Sequence, residues 1–300
     1  PDLGSSPFFP HPTPTLSTGF SSLVWLIAAI LLSFGFGQMW KVSQHRGLSA
    51  PSVISTNYLT IAACLLAYFW WSDTLTFSRP VLLVGGSTGL SFIISLLVMT
   101  HALKHASVGV VLTSFRLSIL VPIIFGILVW GESASALQYL GIVLALASLA
   151  LMTKVPAGHQ SAGPLLLIVV VFVLQGIAHC CMRWIHYADL DPLRMHVLCI
   201  TALTGGGLGA VFVAVRGAKP GAGELKMGLG IGLFNLVALG TSFTALSLYQ
   251  GTLFFPLNGS AVVVLDNLFA HYVWREPISR TGLIGVILGV LSMVLIFQYK

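Results

Sequence analysis

Ten apolar runs, each about 20 residues long, follow one another along this 300-residue chain. They lie at roughly 21–42, 51–71, 79–103, 108–130, 136–153, 164–185, 193–215, 227–248, 253–274 and 281–299. A helix of about 20 residues spans the hydrocarbon core of a bilayer. Within lipid every backbone N–H and C=O must find its partner inside the segment, so such runs fold as helices. A β-barrel would show alternating segments of about 10 residues instead, and none is seen. The predicted class is therefore an all-α integral membrane protein with ten transmembrane helices.

Charge agrees. Only 7% of residues are charged, against 56% hydrophobic; a soluble domain carries about 25%. The breaks between runs hold most of the charges and several prolines, and Trp40, Trp70, Trp71, Trp130, Trp184 and Trp274 fall near predicted ends. Indole suits the headgroup level. The net charge of +6 is spread over short loops, without the basic cluster and interleaved aromatics of a nucleic-acid binder. It fits loops lying against anionic lipid. Residues 1–20, rich in Pro, Ser and Thr, read as a disordered lead-in.

The chain repeats itself. ILVWGESASALQYLGIVLALASLALM resembles AHYVWREPISRTGLIGVILGVLSMVL near the end. Trp130 matches Trp274, Glu132 matches Glu276 and Gly141 matches Gly285, each 144 residues apart. THALKH echoes FTALSLY, and MWKVSQHRGLSAP echoes MRWIHYADLDP. The expected domains are a first five-helix repeat, 21–155, and a second, 160–300. An odd number of crossings inserts the second copy upside down, and inverted repeats are the architecture of alternating-access transporters, with a substrate site near the midplane.

Arg116 lies three residues before the centre of its predicted helix; Asp266 lies three after the centre of the matching helix. Those helices run in opposite directions, so both offsets point the same way and place the two charges at one depth. A charge at mid-bilayer costs about 2.5–3.5 kcal/mol on insertion scales, and pairing relieves it. The functional reading gives Arg116 an anionic group of substrate and makes Asp266 its resting counter-ion or a proton site. Asn267, His101, Asn235, Gln38 and His179 join them as candidate substrate-binding groups, with Gln175, Asn258 and His271 as further polar groups that could line a wet cavity.

Pro122 and Pro256 interrupt helical hydrogen bonding and are candidate hinges. Glu132 and Glu276 each end one run just before the next and are expected to cap helix N-termini. Gly141 and Ala145, with Gly285 and Gly289, form small-residue faces for close helix packing. No metal site is expected: His101 and His105 lack a third ligand, and the adjacent residues of His179–Cys180–Cys181 converge poorly on one ion. GLGIG at 228–232 lies in a membrane run rather than after a strand, so it is not read as a phosphate loop.

On the ten spans, the two joining segments THALKHASVGVV and TALSLYQGTLFFP, and the VWGES and VWREP ends, the chain resembles the drug/metabolite transporter superfamily, EamA-like type, over residues 21–299. The resemblance implies a secondary transporter, an exporter or exchanger of small polar or amphipathic metabolites such as amino acids. It implies a central cavity with helices 5 and 10 packed at the back, and a plasma (inner) membrane location. The partners expected are a small-molecule substrate with an anionic group, coupled protons and the bilayer, with no cofactor and no nucleic acid, in a monomer or homodimer. Loop charges, nine Lys/Arg on one side against four on the other, point to termini outside the cytoplasm; the family implies cytoplasmic termini, the reading kept here. The alternatives are a membrane-embedded lipid or isoprenoid transferase and a non-transporting receptor or scaffold.

Overall fold

A computed structural model describes residues 16–105, 108–152, 162–273 and 280–296. These are helical almost throughout: α1 (Leu16–His45), α2 (Ala50–Trp71), α3 (Arg79–His105), α4 (Val108–Leu117), α5 (Leu120–Leu128), α6 (Ala136–Met152), α7 (Ala162–Tyr187), a single 3-10 turn (Asp191–Leu193), α8 (Arg194–Val215), α9 (Ala222–Leu248), α10 (Gly251–Tyr272) and α11 (Arg280–Ile296). Among the described residues there is no strand. Among the described residues, seven helical segments are long and apolar enough to cross a membrane, by length and composition: Ser21–His45, Ala50–Trp71, Arg79–Ala102, Leu166–Tyr187, Asp191–Val215, Ala222–Leu248 and Gly251–Phe269. Ser114–Leu128, Ala136–Leu151 and Arg280–Ile296 are apolar but shorter. Residues along α6 and α11 such as Leu140, Val143, Ile284, Ile287 and Leu291 are about half exposed or more, as lipid-facing positions would be.

Two expectations need correcting. The lead-in was expected to run to residue 20, but α1 starts at Leu16; residues 1–15 lie outside the described set. The run 108–130 is not one helix but two, α4 and α5, parted at Ser118–Ile119. Pro122 supplies the cause. It has no N–H for the carbonyl of Ser118, four residues back, and its ring crowds that carbonyl. The Ser118 carbonyl instead accepts the amide of Val121 in a tighter turn, 3.0 Å. At Pro256, by contrast, α10 continues unbroken.

Small residues set which helices touch. A Cβ on Gly228 or Gly232 would strike Thr56 or Thr60, so α9 lies close on α2. Beside that contact Asn235 donates to Asn57 Oδ1, 3.1 Å, both side chains buried. The GLGIG glycines thus serve packing. Gly85 and Gly89 similarly admit Ile200, Thr201 and Thr204 of α8 against α3. Gly141 meets Ile296, and Gly289 meets Ser148, whose hydroxyl donates to the Gly285 carbonyl at 2.6 Å. Ala145 is fully buried on the same face. Ascending numbers on α6 therefore meet descending numbers on α11, and the two pack antiparallel. The remaining contacts put α3 on α7 and α8, α1 on α9 and α10, α4 and α5 on α7, and α10 on α5, α6 and α11.

Candidate functional site

Arg116 comes from the last turn of α4 and Asp266 from the second half of α10. The Arg116 Nη2 donates to Asp266 Oδ2 at 3.1 Å. The other carboxylate oxygen, Oδ1, accepts from Gln38 Nε2 of α1 at 2.8 Å. Three helices therefore meet on one carboxylate. The break at Ser118–Ile119 follows Arg116 directly, so the arginine sits where α4 ends rather than within a continuous rod. Its side chain is 30% exposed and that of Asp266 19%, so the pair is partly accessible. Among the described residues Arg116 makes this one hydrogen bond. A guanidinium carries five N–H donors in a planar fork suited to carboxylate or phosphate, so most of that capacity is open to a ligand.

The other candidates scatter. Asn267 turns back to its own helix, donating to the Val263 carbonyl at 2.9 Å. Asn235 belongs to the α2–α9 contact described above. His101 is exposed at the end of α3, its ring 4.4 Å from that of His105, and His271 is exposed beside Tyr272. His179 of α7 contacts Gln175 (Nε2 to Nε2, 3.2 Å) and the Phe255 ring of α10. Gln175 Oε1 accepts from Ser95 of α3 at 2.7 Å. Among the described residues no group of three or more His, Cys, Asp or Glu could hold a metal ion.

A second ion pair, this one buried, was not anticipated. The Arg183 side chain, near the end of the apolar run 164–185, is only 3% exposed, and that of Glu132 only 2%. The Arg183 Nε donates to Glu132 Oε1 at 2.8 Å. Its Nη1 donates to the carbonyls of Leu246 and Tyr249, at 2.5 and 2.9 Å, where α9 ends. Glu132 also accepts the Tyr187 hydroxyl (2.9 Å) and the backbone amides of Gly251 (3.1 Å) and Thr252 (2.7 Å). Those amides open α10, where a carboxylate meets both unsatisfied donors and the positive end of the helix dipole.

The expectation that Glu132 caps the helix following it is thus corrected. Ser135 and Gln138 do that work, each side chain bonding the other's amide at the start of α6. Glu132 caps α10, 119 residues away. The local cause is Gly131, whose φ of +66° turns the chain sharply after α5. Gly126 and Gly251 leave the room: a Cβ on either would touch the Glu132 carboxylate or the Arg183 side chain. Burial alone would raise the Glu132 pKa, but Arg183, the Thr252 amide, the Tyr187 hydroxyl and the Gly251 amide together hold it below the usual carboxylate value. The matching residue, Glu276, lies outside the described residues, as does Trp274. The one signal that could have located the pair was Arg183 itself, which stands inside an apolar run.

The fold and these two polar centres define a helical, membrane-type protein in which one partly exposed and one buried charge pair join distant parts of the chain. No family model matches the sequence. An uncharacterised protein of Haemophilus influenzae is 23% identical, across 91% of this chain and 97% of its own. A solved crystal structure shares the fold, with a TM-score of 0.73 at 17% identity, covering 93% of this chain and 98% of its own.

Proposed function

We propose that the chain is a secondary transporter of small metabolites bearing an anionic group, working by alternating access between two inverted five-helix halves, as in the EamA-like transporters it resembles. The observation that carries this reading is the Arg116–Asp266 pair. Its members come from segments 150 residues apart, one in each half of the repeat, and meet at 3.1 Å with exposed surface left to both. Ionisable groups within membrane-spanning helices are rare and mark substrate or ion pathways. An arginine held by a single carboxylate contact can exchange that contact for a substrate carboxylate or phosphate. The released Asp266 then either keeps Gln38 as its donor or takes a proton, which would couple transport to the proton gradient. Pairing in the resting state keeps the empty carrier from holding an isolated charge in a low-dielectric site.

The test is flux in proteoliposomes, after a ligand screen by thermal stabilisation at two pH values has found a substrate. Arg116→Ala is expected to abolish uptake of that substrate, and Asp266→Asn to uncouple flux from the proton gradient or reduce it at least tenfold. Wild-type rates in both variants would remove the pair from the transport site. Product formation requiring a divalent metal in detergent would replace the carrier with a transferase.

A further inference from the structure

α1 packs on α10, and a groove opens along that contact. Its walls are Phe34 of α1, Leu265, Leu268, Phe269 and Tyr272 of α10, and Val273 just beyond. Leu265, Leu268, Phe269 and Tyr272 fall at i, i+3, i+4 and i+7, which is one face of α10. Asp266 follows Leu265 and precedes Phe269 by three residues, so it stands at the edge of that face. On α1, Phe34 lies four residues before Gln38, one turn away on the same side. The Phe34 and Phe269 rings meet edge to face, 5.4 Å between centroids. Gln38 in turn donates to Asp266 Oδ1 at 2.8 Å. The groove and the Arg116–Asp266 pair are therefore neighbours on one helix contact. Gly37 lies beside them, where a Cβ would stand 4.0 Å from Asp266 Oδ1. At that point α1 offers the carboxylate backbone and no side chain. At the other end Tyr272 is 77% exposed and Val273 56%, so the groove opens outward where α10 finishes.

We propose that this groove is the subsite for the apolar part of the substrate, which is an amphipathic carboxylate with its head on Arg116 and its hydrocarbon tail between α1 and α10. This rests on the transporter reading of Arg116 and adds the chemical class of the ligand. Arg116 already holds a carboxylate, that of Asp266, so a substrate carboxylate replaces like with like on a fork built for such groups. Head and tail have separate tasks. Lipid tails are as apolar as the groove, so the groove alone holds no hydrocarbon in preference to the bilayer. It acts on a chain tethered to a head that Arg116 has bound: a tail brought from water leaves water, and one brought from lipid loses nothing. Apolar walls with a few polar groups that fix orientation are the usual build of a small-molecule site. The volume, about 250 Å3, lies just below the range of about 300–1,000 Å3 for drug-sized ligands. It suits a tail of several carbons rather than a whole lipid.

The test is photolabelling of the full chain in lipid nanodiscs. The probe is octanoate carrying an aliphatic diazirine at the far end of its chain, and the adducts are located by mass spectrometry. Adducts at Phe34, Leu268 and Phe269 are expected at least tenfold above those at Val143 and Ile287, exposed residues of α6 and α11. Unlabelled octanoate should suppress the groove adducts. Octanol at the same concentration should not, since it has the chain without the charge. Arg116→Ala should reduce them at least tenfold. Leu268→Trp, which fills the groove and leaves the charged pair in place, should do the same; if that variant does not fold, the octanoate–octanol comparison on the unaltered chain decides. Labelling spread evenly over α6, α10 and α11 overturns the proposal and leaves ordinary bilayer lipid in the groove. Groove labelling that octanol suppresses equally, or that survives Arg116→Ala, overturns it as well, because the tail site is then unconnected to the head site. Absence of groove adducts also overturns it, and a chain that then elutes as a dimer gives the groove to a second copy. The flux assay separates this idea from the carrier itself. Arg116→Ala that stops flux while labelling is even keeps the carrier and removes the tail subsite. Arg116-dependent labelling without flux of any substrate keeps the binding site and removes the carrier.

Discussion

A carboxylate with four donors and almost no exposed surface is worth most where its partners have nothing else to bond. Glu132 is such a case: Arg183, Tyr187 and two helix-opening amides converge on it. Removing one member of a buried, hydrogen-bonded pair costs about 3–5 kcal/mol, because the other charge is left uncompensated. Glu132→Gln should therefore lower the thermal unfolding midpoint by roughly 10 °C or more, measured by scanning fluorimetry in detergent. The pH dependence has a definite sign. Glu132 has its pKa depressed in the folded chain, so its contribution is fully present above the unfolded carboxylate value of about 4.3 and is lost as pH falls through the lower folded value. The stability gap between wild type and Glu132→Gln should stay constant from pH 7 down to that region and narrow below it. A gap that opens on acidification would reverse the assignment.

At the scale of elements, proline and glycine decide more than apolar runs do. Pro122 turns one expected helix into α4 and α5 and leaves Arg116 at the end of the first of them. Pro122→Ala would return an amide to the Ser118 carbonyl and let the two segments join. The expected outcome is a higher unfolding midpoint with slower transport, since the substitution straightens the backbone that presents the guanidinium. A variant equal to wild type in both would show that the break serves neither. Pro256 carries the same chemistry in α10 without breaking it; there Ser260 donates to the Pro256 carbonyl at 2.7 Å and stays within the helix. Two prolines of equal promise in the sequence thus differ: at 122 the preceding turn tightens and the helix parts, while at 256 the helix runs through.

For the whole molecule, ten crossings would bring both termini to one face of the membrane, and the seven long spans leave three shorter helices to complete that number. A thiol tag before residue 16 and another after residue 296 should react from the same side of sealed vesicles; reaction from opposite sides would remove one crossing and with it the inverted pairing. The positions of the helices were legible in the sequence, because length and hydropathy are local properties and lipid forces an apolar run to bond its own backbone. The sequence also singled out Arg116 and Asp266 as two charges that could meet, and the structure joins them at 3.1 Å. What the sequence alone determined is therefore which segments are helices and which two charges could meet. Only the tertiary structure decided that Glu132 serves α10 rather than its own neighbour, that Arg183 is buried, and that Asn235 and Asn267 are taken up by packing. These depend on which helix ends come together in space, and such contacts, set by glycines and turn angles far apart in the chain, leave no periodic trace along it.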